Sequence, residues 1–237
     1  LCEPSVQRTP VLYQAGASEM GRAFAARNAE CLFIAGTSAK WIASYVADMR
    51  KRAVEAGRKP GDLKIFSLAT PITGETRAEA EEKLADYRRY ISTEGALVQI
   101  SGAMGIDLAA FDPEMPVAEL AGIQTDATRT ALEALAKGSG HPEWTIRQMA
   151  EYAGIGGRSP VFVGSGGEVA DEMIDWVERT GVDGFNLAYA VTPETFEDLS
   201  DKIVPALQER GRFKTAYRDG SLREKLFGQA RLGTEHP

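Results

Sequence analysis

The sequence predicts an α/β fold: the C-terminal half of a (β/α)8 TIM-type barrel with an inserted irregular segment. Three observations carry this expectation. Short apolar runs alternate with longer amphipathic stretches, the pattern of repeated β-α units around a parallel sheet. The 237 residues approach the ~250 of a complete eight-fold barrel, yet only four runs read as firm strands. A fifth, Val161-Phe162-Val163, is open as to type, and the stretch 96–160 breaks the rhythm with many glycines, among them Gly102, Gly105, Gly122, Gly138, Gly140, Gly154, Gly156 and Gly157. The chain also starts at Leu1 in the middle of the pattern, so the remaining strands are expected upstream.

Val11-Leu12-Tyr13-Gln14 reads as the first strand, followed by a turn and a helix from about Glu19 to Ala29. Cys31 to Ala35 is the next strand. A helix from Ser38 to about Ala56 stops at Gly57, with Pro60 beyond it. Leu63 to Ile72 contains the third strand. Thr76-Arg77-Ala78-Glu79 reads as a capping box, and the helix it opens carries Ala80, Leu84, Tyr87 and Ile91 on one face. Within 96–160, short helices are expected near 117–137 and 145–152. Val169, Met173 and Trp176 mark a later amphipathic helix, and Gly184 to Ala188 a strand. Thr192-Pro193 should cap a helix running to about Arg210, kinked by Pro205. Residues 1–237 form one partial barrel domain, with 96–160 as an insertion or flap and about 211–237 as a C-terminal arm.

Composition removes several function classes. With 27 basic and 34 acidic residues, the net charge of −7 argues against nucleic acid, which needs basic surface. No apolar run approaches the ~20 residues that span a bilayer, so no membrane association is expected. Cys2 and Cys31 cannot make a disulfide framework, and a reduced, cytoplasmic setting is expected. A zinc site would need Cys2, Cys31, His141 and His236, which share no ligand spacing. There is no G-x-S-x-G elbow for Ser-His hydrolysis.

Two glycine-bearing turns are candidates for binding chemistry. In Gln14-Ala15-Gly16-Ala17-Ser18-Glu19-Met20-Gly21-Arg22 a strand ends, small residues turn, and a helix begins. Small side chains let a ligand approach the backbone, and the free N–H groups of a first helical turn suit a phosphate. On spacing alone, a plain turn with Ser18 as cap is the better reading. Gly164-Ser165-Gly166-Gly167 precedes a helix too, but it is no dinucleotide fingerprint, since the last glycine would fall at Val169. A simple helix start accounts for it better than a phosphate site.

The run Glu3-Pro4-Ser5-Val6-Gln7-Arg8-Thr9-Pro10-Val11-Leu12-Tyr13-Gln14-Ala15-Gly16-Ala17-Ser18, continuing Gly21-Arg22-Ala23-Phe24-Ala25-Ala26, resembles the bacterial luciferase-like flavin monooxygenases. The likeness is to the branch of nitrilotriacetate, dibenzothiophene-sulfone and long-chain alkane monooxygenases. Asp183-Gly184-Phe185-Asn186-Leu187 and the tail from Arg210-Gly211 to Leu226-Phe227-Gly228 support it, and 96–160 is least like it. The resemblance implies a barrel that binds reduced FMN supplied by a flavin reductase and transfers one oxygen atom of O2 to a small-molecule substrate. It implies that Ala15, Gly16, Ala17 and Ser18 contact the FMN phosphate, which reverses the reading from spacing. It also places the catalytic histidine outside this sequence, so no catalytic residue is assigned and neither His141 nor His236 inherits the role. A homo-oligomer is expected. A non-catalytic flavin-binding relative is the alternative.

Substrate class is read from 96–160, which holds eight acids against four bases. Such a flap would repel a polyanion, whereas a chelate needs clustered cations. Leu97, Val98, Ile100, Met104, Ile106, Leu108, Phe111 and Met115 could line an apolar pocket or serve as the flap's own packing surface. A neutral, largely apolar substrate is expected.

Overall fold

A computed structural model describes residues 2–16, 18–120, 141, 143–155, 157, 159–233 and 236. Among them, five parallel strands form one sheet: β1 Tyr13–Ala15, β2 Cys31–Ile34, β3 Lys64–Gly74, β4 Val161–Ser165 and β5 Gly184–Leu187. Phe66 of β3 is in register with Phe33 of β2 and with Gly184 of β5, so β2 and β5 flank the first half of β3. The second half of β3 pairs with β4, Thr70 opposite Val161. β1 pairs only with β2 among the described residues, so these strands do not close into a barrel. Val161-Phe162-Val163 is thereby a strand.

Helices α1 Glu19–Asn28 and α2 Ala39–Glu55 follow β1 and β2. Strand residues alternate between faces, and Leu32, Ile34, Ile65 and Ala69 point to a core shared with Ile42, Tyr45, Met49, Met173 and Trp176. The opposite face carries the ring cluster of Tyr13, Phe33 and Phe66, with Tyr13 and Phe33 stacked at 5.2 Å. Val11 and Leu12 stand before the first strand, not in it. The Leu12 carbonyl accepts from Glu30 and Cys31, and its N–H donates to the Glu30 carboxylate.

Helix α3 Arg77–Arg88 is capped by Thr76, which accepts from the Glu79 N–H. The Glu79 carboxylate takes the Glu75 N–H, at 2.9 Å, in place of the Thr76 N–H. The expected box is therefore one residue out of register on its return arm. Ile91 lies beyond the helix, and only Ala80 of the expected face is fully buried.

Among the described residues, three α-helices lie in or beside 96–160, the stretch expected as an insertion: α4 Thr93–Met104, α5 Val117–Leu120 and α6 Ile146–Ala153. The sequence reading missed α4, whose Gly95 and Gly102 concealed it. Residues 121–140, the greater part of the expected helix near 117–137, lie outside the described residues. Ile100, Ile106, Leu108, Val117, Leu120, Ile146 and Met149 form a second core, with Leu97, Phe111 and Met115 packed on it. Most of the apolar residues offered as a pocket lining are thus the segment's own interior, while Val98 is 71% exposed.

α7 Gly166–Thr180 follows β4. After β5, α8 Glu194–Asp198 passes into a π turn, Leu199–Ile203, and then α9 Val204–Glu209. Pro193 takes the cap position and not the first helical one. The wider turn carries the chain past Pro205, whose ring would press on the Asp201 carbonyl in a regular α-helix. Lys83 ties this region to β3: its ammonium bonds the Thr73 carbonyl, Asp198 and Glu194.

The C-terminal arm includes α10, Leu222–Phe227. Arg223, 1% exposed, donates to both oxygens of Glu30 and to the carbonyls of Thr9 and Pro10. It pins the arm beneath the N-terminal ends of the strands. Although desolvation opposes ionisation of Glu30, hydrogen bonds from Arg223 and the Leu12 N–H hold its carboxyl below the ordinary value. Removing the arginine would strand a buried carboxylate, at a cost of about 3–5 kcal/mol.

Candidate functional site

β1 ends at Ala15 and α1 starts at Glu19, which places the first candidate turn at the C-terminal end of the sheet. Ala15, Gly16 and Ser18 are solvent-exposed there, and Ala17 lies outside the described residues. Gly16 has φ +149°, and a Cβ built on it would meet nothing within 4 Å. The turn is therefore open in space and closed to side chains only by backbone conformation. Ser18 is the helix cap, its Oγ accepting from the Gly21 N–H at 3.1 Å. That bond uses a lone pair, so the hydroxyl proton is left to donate elsewhere. The N–H groups of Glu19 and Met20, in the first turn, have no carbonyl partner within the helix.

Residues of α2 support the turn from beneath. Tyr45, 2% exposed, donates from its hydroxyl to the Gly16 carbonyl at 2.9 Å. Burial pushes its phenol up to about 12, so it remains a donor at ordinary pH. Gln14 Nε2 donates to the Gly21 carbonyl at 3.1 Å. The Arg22 guanidinium lies 5.3 Å from the Tyr45 ring centre and pairs with Asp48 at 3.0 Å. Arg52 bonds Asp48 through Nε and both oxygens of Glu19 through its two terminal nitrogens. Desolvation opposes ionisation of Asp48, but hydrogen bonds from Arg52 and then Arg22 keep its carboxyl below the ordinary value. The sequence reading missed Tyr45, Asp48 and Arg52. Their signal was present: positions spaced by three and four on one helix share a face.

The second glycine turn is built differently. Ser165 caps α7, and Glu168 folds back so that one carboxylate oxygen accepts from the Ser165 N–H at 2.8 Å and its hydroxyl at 2.9 Å. Arg77 holds the other oxygen at 2.9 Å. A Cβ on Gly166 would lie 2.6 Å from the Lys202 carbonyl oxygen. Gly166 serves close packing, and the protein's own carboxylate takes the Ser165 N–H and hydroxyl that an anion would otherwise use.

Each of the two histidines lines a cavity. His141 stacks on Trp144 at 4.2 Å and lines a cleft of about 570 Å³ with Thr37, Tyr152 and Trp176. His236 lines a cavity of about 500 Å³ with Glu30, Arg58 and Arg223. Neither Ala15, Gly16 nor Ser18 lines either cavity. Among the described residues there is no group of three acidic, histidine or cysteine side chains able to hold a metal. No described helix is long and apolar enough to cross a membrane.

The family profile described as "Luciferase-like monooxygenase" matches residues 2–184. The dimethyl-sulfide monooxygenase of Hyphomicrobium sulfonivorans is 47% identical, over 100% of this chain and 49% of its own length. The long-chain alkane monooxygenase of Geobacillus thermodenitrificans (strain NG80-2) is 40% identical, again over 100% of this chain and 49% of its own length. The chain thus spans about half the length of the curated relatives it matches. Among solved structures, DmoA from Hyphomicrobium sulfonivorans superposes with a TM-score of 0.86 at 46% identity, covering 100% of this chain and 50% of the other. A riboflavin lyase, RcaE, solved with modified FMN and riboflavin, gives 0.81 at 32% identity, covering 98% and 50%.

Proposed function

The chain belongs to the luciferase-like monooxygenase family, and we propose that it is the C-terminal half of a two-component flavin monooxygenase. The full-length protein takes reduced FMN from a separate reductase and uses O2 to oxygenate a small, neutral organic substrate. The observation that carries this reading is the open turn after β1. Ala15, Gly16, Ala17 and Ser18 would hold the FMN phosphate. Gly16 leaves room for it, the Ser18 hydroxyl proton and the first-turn N–H groups of α1 point donors at it, and Tyr45 fixes the turn by holding the Gly16 carbonyl. An anion at a helix N-terminus is also favoured by the macrodipole.

When bound, reduced FMN supplies the oxygen-activating chemistry. This chain's residues bind its phosphate and thereby fix where the cofactor sits. Residues 96–160 are proposed to cover the site and exclude water, with their second core keeping the cover compact. Proteolysis of the full-length protein with and without FMN tests this: equal cutting rates within 96–160 would contradict it.

Two features support a neutral substrate: the acidic balance of 96–160 and the uncharged molecules in the names of the two relatives. The full-length protein should be assayed with a flavin reductase and O2 against dimethyl sulfide, a long-chain alkane and nitrilotriacetate. Oxygen-dependent turnover of a neutral compound is expected. Turnover of nitrilotriacetate alone would overturn the substrate class. FMN binding with no turnover of any compound would favour a non-catalytic flavin-binding relative.

A further inference from the structure

We propose that Arg52 is a positioning residue for the flavin phosphate: it holds the Glu19 carboxylate off the N-terminus of α1 and keeps the turn neutral enough to accept a dianion. The proposal rests on the phosphate reading of Ala15–Ser18 and assigns the specificity for a phosphorylated flavin within it.

Glu19 is the first residue of α1, where the helix dipole attracts a carboxylate. Left to itself, it would compete with an incoming phosphate for the same free N–H groups, and its charge would repel what it did not displace. Instead both of its oxygens are held by Arg52, Nη1 to Oε1 at 2.6 Å and Nη2 to Oε2 at 3.0 Å. Two parallel bonds fix direction as well as distance. The guanidinium is itself fixed from behind, with Nε at 2.9 Å from each oxygen of Asp48. Asp48 is shared with Arg22 at 3.0 Å. Among the described members of this network two arginines balance two carboxylates, so its formal charge is zero. Taking Arg52 away would leave one net negative charge beside a phosphate carrying nearly two.

The surface exposure of Glu19, 71%, means that this pair adds little to fold stability. The effect of Arg52 is therefore expected on phosphate affinity and not on folding. A lysine cannot replace it, since a single ammonium cannot hold Asp48 and both Glu19 oxygens in one plane.

The test is a titration of the full-length protein with FMN and with riboflavin, which lacks the phosphate, at low ionic strength. Arg52→Met should weaken FMN about tenfold through the lost charge balance while leaving riboflavin within about twofold. Adding Glu19→Gln to Arg52→Met restores neutrality and should return FMN affinity to within about threefold of wild type. Equal losses for both flavins, unchanged FMN affinity in Arg52→Met, or no recovery in the double variant would each overturn the proposal. Should Arg52→Met not fold, Glu19→Gln alone serves: FMN should tighten and riboflavin stay, and unchanged FMN affinity would overturn it. A wild type that binds FMN no better than riboflavin would instead remove the phosphate reading, and this proposal with it.

Discussion

The two strand-to-helix turns, after β1 and after β4, share small residues and a serine cap but differ at the third helical position. Gly21 stands there in α1, and Glu168 in α7. Glu168 reaches back, bonds the Ser165 N–H and hydroxyl, and closes the turn. Gly21 has no side chain to reach back with, so no carboxylate from the third position takes the Ser18 N–H or hydroxyl. The glycines differ as well: Gly16 faces empty space, whereas Gly166 lies against the Lys202 backbone. A glycine-rich turn before a helix is thus not a binding site by composition. On the proposed reading, what decides is whether the protein has already supplied a carboxylate for the cap residue's donors.

Three changes would break or sharpen this contrast. Gly166→Ala should have the largest effect on folding, because its Cβ would meet backbone atoms of Lys202 at 2.6 and 2.8 Å. A loss of about 1–3 kcal/mol is expected from overpacking, read as a lower urea midpoint with FMN affinity unchanged in the folded protein. A loss under about 0.5 kcal/mol, the range of neutral surface changes, would mean that packing does not set the closed turn.

Gly21→Glu transplants the closing carboxylate into the open turn. FMN affinity should fall about tenfold, or ~1.4 kcal/mol, with little change in stability. The new Cβ would stand 3.0 Å from Ser18 Oγ, which must shift slightly. Undiminished FMN binding would show that the third position does not control the site.

The smallest effect concerns pH. Hydrogen bonds from the Ser165 backbone, Arg77 and the Ser165 hydroxyl lower the Glu168 pKa from 4.5 to about 2. A carboxyl lowered on folding contributes stability that is present above the unfolded value and lost as pH falls toward the folded one. The stability difference between wild type and Glu168→Gln should therefore shrink as pH drops from 4.5 toward 2. A difference constant across that window would contradict the closed-box assignment.

Much of this architecture was legible because it rests on local patterns. Cys31 to Ile34 and Lys64 to Gly74 announce themselves as apolar runs, and Ser38 and Gly57 bound α2 by cap chemistry. Helix α4 was not legible, since two glycines lower its propensity. One of them, Gly95, sits directly over the Ser92 cap, where a glycine costs little, and Gly102 faces open space. The ion pair of Arg223 with Glu30 joins residues 193 positions apart, and no local spacing announces such a contact. For the site, sequence pointed to the turn but not to what separates it from its glycine-rich counterpart. Tyr45 and Arg52 act on Gly16 and Glu19 across the α1–α2 packing, which only the fold brings about.

The central claim, that the turn after β1 holds a flavin phosphate, is tested most directly by an FMN titration of the full-length protein and its Ser18→Asp variant. Aspartate still caps the helix, so the fold should survive, but its charge faces the phosphate. Binding in the wild type and at least about tenfold weaker binding in the variant are expected from charge repulsion. Equal dissociation constants would contradict the assignment.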